Sequence, residues 1–251
     1  MKRKILLIGD NQTKVYKGLK NAFESLELEV IEYNKGIIPK TTSIKVNQDL
    51  DLILVIEIKK RQFSIETNKP TILYLQDSDP EEHYLTIKNP TLVALKHPNI
   101  ECSMFKTFYL PPAINPNDYN PIPANEKDIF ISDISRDKKK VPYVDYLDIL
   151  KRSQHTIIKP GNISVRALEA LALKTIPIII ADKDLRFRYR NLGFNDLDNC
   201  YFITIEPTME TLEIQNYNEE KANNGYEFVR KNHTWKNRAQ IILNKAGILQ
   251  K

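Results

Sequence analysis

An arginine and a glutamate three residues apart lie near the start of an apolar stretch with helical spacing. Arg166 and Glu169 belong to the segment SVRALEALAL, and this separation places both side chains on one face of a helix. A guanidinium beside the free amides of a helix N-terminus suits a phosphate or diphosphate, and a carboxylate one turn further can accept hydrogen bonds from vicinal sugar hydroxyls. The spacing also fits a solvated ion pair, worth about a few tenths of a kcal/mol.

The helix belongs to a predicted strand, helix, strand unit. Apolar strands are predicted at 155–158 and 176–180, and a turn at 159–164 leads into the helix with Asn162 or Ser164 as N-cap. The residues predicted to pack the helix on the sheet are Val165, Leu168, Leu171 and Ala172. Ligands of parallel α/β sheets bind beyond the carboxyl ends of strands, so the turn is at a position where a ligand is expected.

The rest of the chain alternates strands with helices, which predicts a parallel, doubly wound α/β sheet. The predicted strands are 4–9, 30–33, 49–59, 71–77, 92–95, 107–110, 128–132 and 200–205, and the further helices are 13–26, 143–152, 208–214, 219–232 and 234–246. Residues 181–194 are predicted to form a loop and a short helix.

The segment YLPPAINPNDYNPIPAN, residues 109–125, contains five prolines and has no helical or strand period. Because proline fixes φ and removes a donor, we expect an extended, rather stiff connector there. The predicted organisation is a first domain at 1–110, a linker at 111–126 and a second domain at 127–251.

Composition is that of a soluble globular protein, with 251 residues, 41% hydrophobic and 27% charged. No apolar run is long enough for a transmembrane helix, and the N-terminal ILLIG is too short for a signal-peptide core. Cys102 and Cys200 form no paired motif, which argues against a disulfide framework or a zinc site and favours the cytoplasm.

The formal net charge of +5 is divided among short basic clusters. These clusters are Lys2–Lys4, Lys59–Arg61, Arg136–Lys140, and Arg186 with Arg188 and Arg190. Most such clusters are solvated faces, although they can also attract polyanions such as DNA, acidic glycans or an anionic membrane. In RFRYR, arginines alternate with aromatic rings, which suits phosphates and stacked bases and equally suits arginines that cover apolar rings.

Three segments resemble one family of enzymes. SVRALEALALKTIPII resembles the donor-binding helix of GT-B glycosyltransferases, in particular the CgeB-like (spore-maturation-protein-like) group, which has an Arg-x-x-Glu-Ala pattern. NGYEFVRKNHTWKNRAQIIL resembles the closing helices of that group, and the proline-rich segment resembles its interdomain linker. The resemblance covers the C-terminal half well and the N-terminal half only by layout. It departs at Lys174, where many relatives carry glycine, and at 130–143, which is abbreviated.

The resemblance implies two Rossmann-like doubly wound domains with an interdomain cleft, and a last helix that folds back onto the first domain. It implies a metal-independent transferase that moves a sugar from a nucleotide diphosphate sugar, a UDP-sugar in the first place, with no bound cofactor. By this likeness Arg166 binds the diphosphate and Glu169 the ribose hydroxyls. Gly161, Asn162 and Ser164 would offer donors to the phosphates, and Lys159 would neutralise leaving-group charge.

An inverting transferase also needs a general base for the acceptor hydroxyl. Candidates at the ends of first-domain strands are Asp10 and Asp77, followed by His97, and each can also be an ordinary loop or capping residue. The sequence Asp77-Ser78-Asp79 has the spacing of a metal-binding motif, yet it precedes a proline and fits a turn. We therefore predict no metal site.

The sequence leaves several alternatives open. Tyr143 or Tyr146 can stack on a nucleobase or pack in the core. His233 is expected to cap the final helix, with Trp235 and Tyr226 packing beside it. The acceptor can be a glycan, a protein or a modified DNA base, so a DNA-binding or DNA-modifying enzyme of viral type is one rival function. A catalytically inactive relative that only binds is the other.

Overall fold

The computed structural model of the chain describes residues 2–34, 41–46, 49–56, 62–75, 91–96, 106–133, 141–161, 163–196, 198–204 and 217–249, without the side chains of 34, 41–45, 62–64 and 66. Several predicted features lie outside the described residues: Asp77, His97, Asn162, the basic clusters at 59–61 and 136–140, and the helix at 208–214. Among the helices in the described ranges, none has the length and apolar character needed to cross a bilayer.

The chain divides into two compact units. Met1–Pro111 together with Trp235–Lys251 form unit 1, and Pro112–Thr234 form unit 2. The α-helices in the described ranges are α1 (Lys14–Ser25), α2 (Tyr143–Arg152), α3 (Val165–Ala172), α4 (Lys183–Asn191), α5 (Glu219–Asn232) and α6 (Trp235–Lys245). Of these, α1 and α6 belong to unit 1.

Unit 1 is built on a six-stranded parallel sheet with the order β2-β1-β4-β6-β7-β8. The strands of unit 1 are β1 (Lys4–Gly9), β2 (Glu29–Asn34), β3 (Thr41–Lys45), β4 (Leu52–Ile56), β5 (Gln62–Glu66), β6 (Thr71–Leu75), β7 (Leu92–Leu95) and β8 (Thr107–Tyr109). The chain passes from β1 to β2 on one side and returns to β4 on the other, so the strand order reverses at β1. Sheets of this type bind ligands at the carboxyl ends next to such a reversal.

The central strands β4 and β6 are completely buried, as expected for the apolar sequences LILVI and TILYL in a covered parallel sheet. Helix α1 begins after Thr13, whose side chain accepts a hydrogen bond from the Tyr16 amide. A Cβ added at Gly18 of α1 would lie 2.3 Å from the Trp235 ring of α6, so only glycine permits this approach.

Strands β3 and β5 form a separate two-stranded parallel sheet that the sequence analysis did not predict. Their sequences, TTSIK and QFSIE, are short and rich in polar residues. They therefore lack the continuous apolar run that identified the other strands of unit 1.

Unit 2 contains a four-stranded parallel sheet with the order β12-β11-β10-β9. Its strands are β9 (Ile129–Ser132), β10 (Ser153–Ile158), β11 (Ile176–Ile180) and β12 (Tyr201–Ile203). The predicted strand, helix, strand unit is present as β10, α3 and β11. Of the predicted packing residues, Leu168, Leu171 and Ala172 are buried, whereas Val165 at the helix start is 38% exposed. A Cβ at Gly225 of α5 would meet Leu171 at 2.5 Å, so glycine lets α5 pack against α3.

The segment predicted as a loop and a short helix forms the nine-residue helix α4, with Asp182 as its N-cap. Arg186 and Arg190 place their guanidinium carbons 5.3 and 6.0 Å from the centre of the Phe202 ring. This geometry favours the interpretation in which these arginines cover an apolar ring.

The proline-rich segment contains two short 3-10 helices, Pro116–Asp118 and Ala124–Glu126. Ile114 and Tyr119 from this segment are buried in the main core of unit 2. The segment is therefore packed along much of its length instead of being exposed to solvent.

Lys174, which follows α3, has a left-handed backbone with a φ of 55°. The Thr175 amide donates to the Ala170 carbonyl at 2.9 Å, which completes a helix C-terminus of the kind that glycine favours. The departure from glycine at this position therefore keeps the backbone turn and introduces a lysine. Its ammonium lies 5.3 Å from the centre of the Tyr226 ring.

Lys127 is a buried lysine that joins the ends of several elements in unit 2. Its ammonium donates to the carbonyl oxygens of Lys151, Ser153 and Leu173 at 2.8, 2.9 and 3.2 Å, and to the Thr175 hydroxyl at 3.2 Å. Burial lowers the pKa of Lys127 to about 8. The cation thus satisfies carbonyls at the C-terminal ends of α2 and α3, where positive charge is favoured.

His155 in β10 is fully buried, and neither ring nitrogen forms a well-aligned hydrogen bond with the residues that the structure describes. The aromatic rings of Phe130, Tyr201 and Tyr217 lie 5.6 to 6.2 Å from it, centre to centre. Burial is the main cause that lowers the pKa of His155 to about 4 from an ordinary value of 6.5. The imidazole is therefore a neutral polar group in an aromatic environment.

Replacing His155 with leucine is expected to reduce the loss of stability in acid. Between pH 6.5 and 4 the unfolded histidine binds a proton that the folded one does not, so the wild-type free energy of unfolding falls as the pH falls. The loss attributable to His155 is up to about 3 kcal/mol, at about 1.4 kcal/mol per pKa unit. Urea unfolding of the wild-type protein and of His155→Leu at several pH values measures this loss. If the free energies of unfolding of the two proteins change in parallel with pH, the lowered pKa of His155 is contradicted.

Candidate functional site

The turn after β10 and the start of α3 are held in place by hydrogen bonds at Ser164. The Ser164 side chain caps α3 by accepting the Arg166 amide at 3.2 Å, as one of the two predicted N-caps. The Ser164 amide donates to the hydroxyl of the buried Tyr189 on α4 at 3.0 Å. The amide of Ser164 is thus engaged by the protein, and its hydroxyl proton is the group that it can offer to a ligand.

A small pocket of about 100 Å³ opens at this place. Residues from the end of β10, the following turn, α2 and the start of α3 line it: Tyr146, Thr156, Ile157, Ile158, Lys159, Pro160, Ser164 and Arg166. Two of these side chains, Lys159 and Arg166, carry positive charge. The pocket therefore combines a helix N-terminus with two cations, a combination that suits an anion.

Arg166 is exposed, and its guanidinium carbon lies 5.8 Å from the centre of the Tyr146 ring. Among the described residues it forms no ion pair with Glu169, so the solvated pair considered from the spacing is absent. The two side chains differ because Glu169 turns into the protein, where it is only 4% exposed.

The Glu169 carboxylate accepts three hydrogen bonds from tyrosine hydroxyls. Its Oε1 accepts from Tyr119 at 3.1 Å and Tyr143 at 2.7 Å, and its Oε2 accepts from Tyr146 at 3.2 Å. Tyr119 comes from the proline-rich segment, and Tyr143 and Tyr146 come from α2. Two separate segments of unit 2 therefore fix this carboxylate.

Burial is the first cause that raises the pKa of all three tyrosines, and the charge of Glu169 adds to the rise. The phenols therefore stay protonated and act as donors. A carboxylate surrounded by neutral hydroxyl donors is a site that receives hydroxyls and repels phosphates.

The other predicted donor-binding residues lie on the same turn. Lys159 is half-buried at the pocket, and Gly161 is exposed. Nothing lies within 4 Å of a Cβ added at Gly161, so the packing of the described residues does not require glycine there. The turn thus brings Lys159, Gly161, Ser164 and Arg166 together, whereas Asn162 is not described.

Asp10 lies directly after β1, where the strand order of unit 1 reverses. Its Oδ1 accepts the Gln12 amide at 3.1 Å, and its carbonyl oxygen accepts the Thr13 amide at 3.0 Å and the Thr13 hydroxyl at 2.9 Å. The side chain is half-buried and helps to form the turn before α1. It has both the position expected of a catalytic group and the contacts of a turn residue.

Two residues that shape the site were missed from the sequence. Tyr119 is 50 residues from Glu169, and no local pattern connects them. Tyr189 lies in the segment predicted as a loop and a short helix, and its spacing of four from Leu185 is the signal of a buried helix face, since both residues are buried. His233, expected to cap the final helix, is the C-cap of α5, and its Nε2 lies 3.0 Å from the Leu192 carbonyl oxygen.

Within the described part of the chain, no three His, Cys, Asp or Glu side chains are grouped as metal ligands.

Comparisons with known proteins identify the fold. No protein-family model matches the sequence, and no curated protein matches it. The crystal structure of AviGT4, a glycosyltransferase involved in avilamycin A biosynthesis, matches 98% of this chain and 97% of its own, with a TM-score of 0.58 and 9% identity. That of a glycosyltransferase from Rickettsia africae ESF-5 matches 100% of this chain and 99% of its own, with a TM-score of 0.51 and 10% identity. The prediction of two Rossmann-like, doubly wound units of the GT-B fold is confirmed.

Proposed function

We propose that the chain is a glycosyltransferase that moves a sugar from a nucleotide diphosphate sugar to an acceptor hydroxyl. The observation that carries this proposal is the position of Arg166, exposed beside a pocket at the N-terminus of α3, in a chain with the GT-B fold. The pocket is too small for a whole nucleotide sugar, since ligand sites usually enclose about 300–1,000 Å³, but its size and charge suit phosphate groups.

The difficult step in such a reaction is the departure of the nucleoside diphosphate, which accumulates negative charge. In our proposal Arg166 and Lys159 stabilise that charge, together with donors from Gly161, Asn162 and Ser164 at the helix start. Fixed cations of this kind supply the charge stabilisation that a metal ion supplies elsewhere. If the reaction inverts the anomeric carbon, Asp10 or Asp77 takes the proton from the acceptor hydroxyl.

Glu169 is assigned to the ribose of the donor. Its buried carboxylate already accepts three hydroxyl groups, which supports a preference for hydroxyl donors over phosphates. The likeness to the CgeB-like group suggests the same role for the matching glutamate. We further propose a UDP-sugar as the donor and the cytoplasm as the location.

A binding protein without transferase activity is the second candidate, because tyrosine hydroxyls occupy the carboxylate that the donor would need. Isothermal titration calorimetry with UDP-, GDP- and ADP-glucose, each followed by an assay for release of the nucleoside diphosphate, separates the two. For the donor with one of the three nucleobases, we expect a saturable binding heat and slow hydrolysis of the nucleotide sugar. Binding without any hydrolysis or transfer would favour the inactive protein, and no heat with any donor would contradict the donor site.

A further inference from the structure

The three tyrosines on Glu169 differ in how firmly they are held. Tyr119 and Tyr146 are 7% and 9% exposed and belong to the main core of unit 2. Tyr143 is 42% exposed, at the first position of α2. Turning Tyr143 into solvent would break its 3.3 Å hydroxyl contact with Tyr119 and separate its ring from the Tyr146 ring, 5.8 Å away centre to centre, but it would leave the core residues in place.

The carboxylate has room for one more hydrogen bond. Two carboxylate oxygens offer about four acceptor positions, two on each oxygen. Tyr119 and Tyr143 fill both positions on Oε1, and Tyr146 fills one on Oε2. If Tyr143 leaves, one position is open on each oxygen, which is the arrangement that a pair of vicinal hydroxyls requires.

We propose that Tyr143 is a placeholder whose hydroxyl occupies Glu169 in the empty protein and is displaced by the ribose diol of the bound nucleotide. The inference rests on the proposed function, because it assigns Glu169 to the ribose. In the empty protein Tyr143 keeps a buried charge satisfied. In the complex it competes with the ribose, so it lowers nucleotide affinity and speeds release of the nucleoside diphosphate.

Displacement has a distinctive consequence for ligands that lack one hydroxyl. A ribose diol needs the position held by Tyr143, and binding then replaces one hydrogen bond with two. A 2′-deoxyribose has a single hydroxyl, which can use the open position on Oε2 while Tyr143 stays in place. Removing the Tyr143 hydroxyl should therefore favour the ribonucleotide alone.

The test compares wild-type protein with Tyr143→Phe by titration calorimetry against UDP and 2′-deoxy-UDP, or the guanosine or adenosine pair if the donor screen selects that base. We expect Tyr143→Phe to bind the ribonucleotide about tenfold more tightly, because the ribose no longer has to displace a hydrogen bond to a charged group, and to bind the deoxynucleotide with unchanged affinity. Tyr226→Phe is the control, since the Tyr226 hydroxyl contacts Arg230 on α5 and does not contact Glu169.

The outcomes separate the two proposals. If wild-type protein binds the ribonucleotide and Tyr143→Phe binds it with equal or lower affinity, the placeholder role is wrong and the donor site stands. The same conclusion follows if the substitution raises the affinity for the ribonucleotide and the deoxynucleotide by the same factor. If neither wild-type protein nor the variant binds any nucleoside diphosphate, the proposed function fails, and the placeholder role fails with it. Circular dichroism spectra that match the wild type establish that the variant is folded.

Discussion

Replacing Arg166 with alanine is expected to lower donor hydrolysis and glycosyl transfer by about 10²- to 10³-fold, the usual effect of removing one group that stabilises transition-state charge. The loss follows because Arg166 is an exposed cation beside the pocket that we assign to the diphosphate. Its contact with the Tyr146 ring is worth only about 0.5–1 kcal/mol, so the fold should persist. Steady-state kinetics with the donor found by calorimetry, together with a thermal melt, measure both effects.

The matched control is Arg230→Ala. Arg230 is also an exposed arginine on a helix of unit 2, and its guanidinium carbon lies 5.2 Å from the centre of the Tyr226 ring, close to the 5.8 Å that separates Arg166 from Tyr146. It does not line the pocket. We expect full activity from this variant. Unchanged turnover in Arg166→Ala would refute the role of Arg166, and equal losses in both variants would mean that the effect is not specific to the pocket.

Replacing Lys127 with methionine should lower the free energy of unfolding by about 1–3 kcal/mol, since leaving a buried acceptor without its donor typically costs about that much. The substitution leaves three carbonyl oxygens and the Thr175 hydroxyl without the ammonium to which they are bonded. Urea denaturation measures the change. Lys183→Met, which alters an exposed lysine on α4, is the control and should change stability by no more than about 0.5 kcal/mol.

The difference in unfolding free energy between the wild-type protein and Lys127→Met should depend on pH. Burial lowers the pKa of Lys127 to about 8 from the ordinary 10.5, so between these values the unfolded chain holds a proton that the folded chain has lost. Wild-type stability relative to Lys127→Met should therefore rise with pH across this window, by up to about 3 kcal/mol. Because the tyrosines titrate alike in both proteins, they cancel in the difference. A difference that does not change with pH would mean that Lys127 keeps its ordinary pKa.

The spacing of apolar residues predicted helices and strands well where burial of an apolar run or of one helix face determines the element. Helix α2, strands β1, β7 and β11, and helix α5 have the predicted bounds, because each is set by a continuous apolar run or a clear helical period. Strands β3 and β5 were missed because polar residues interrupt their apolar pattern. The departure at Lys174 keeps a left-handed backbone, with a φ of 55°, at a position where glycine would be favoured.

The chemistry of buried polar groups was much harder to predict than the fold. In the sequence, Lys127 looks like a surface residue and His155 looks like the first residue of a strand. Only the packed structure places carbonyl oxygens around Lys127 and aromatic rings around His155. The helix spacing placed Arg166 and Glu169 on one face. It could not show that Glu169 is buried, because its three tyrosine partners are 23, 26 and 50 residues away along the chain.

Helix α6 completes unit 1 although it follows all of unit 2 in the chain. During synthesis, residues 1–111 leave the ribosome first, but the Trp235 ring that packs at Gly18 is made only after residue 234. Unit 2 can therefore fold while unit 1 still lacks its last helix and the surface of α1 around Gly18 is exposed. A truncation at residue 234 should expose that surface permanently and yield a protein that requires chaperones or aggregates.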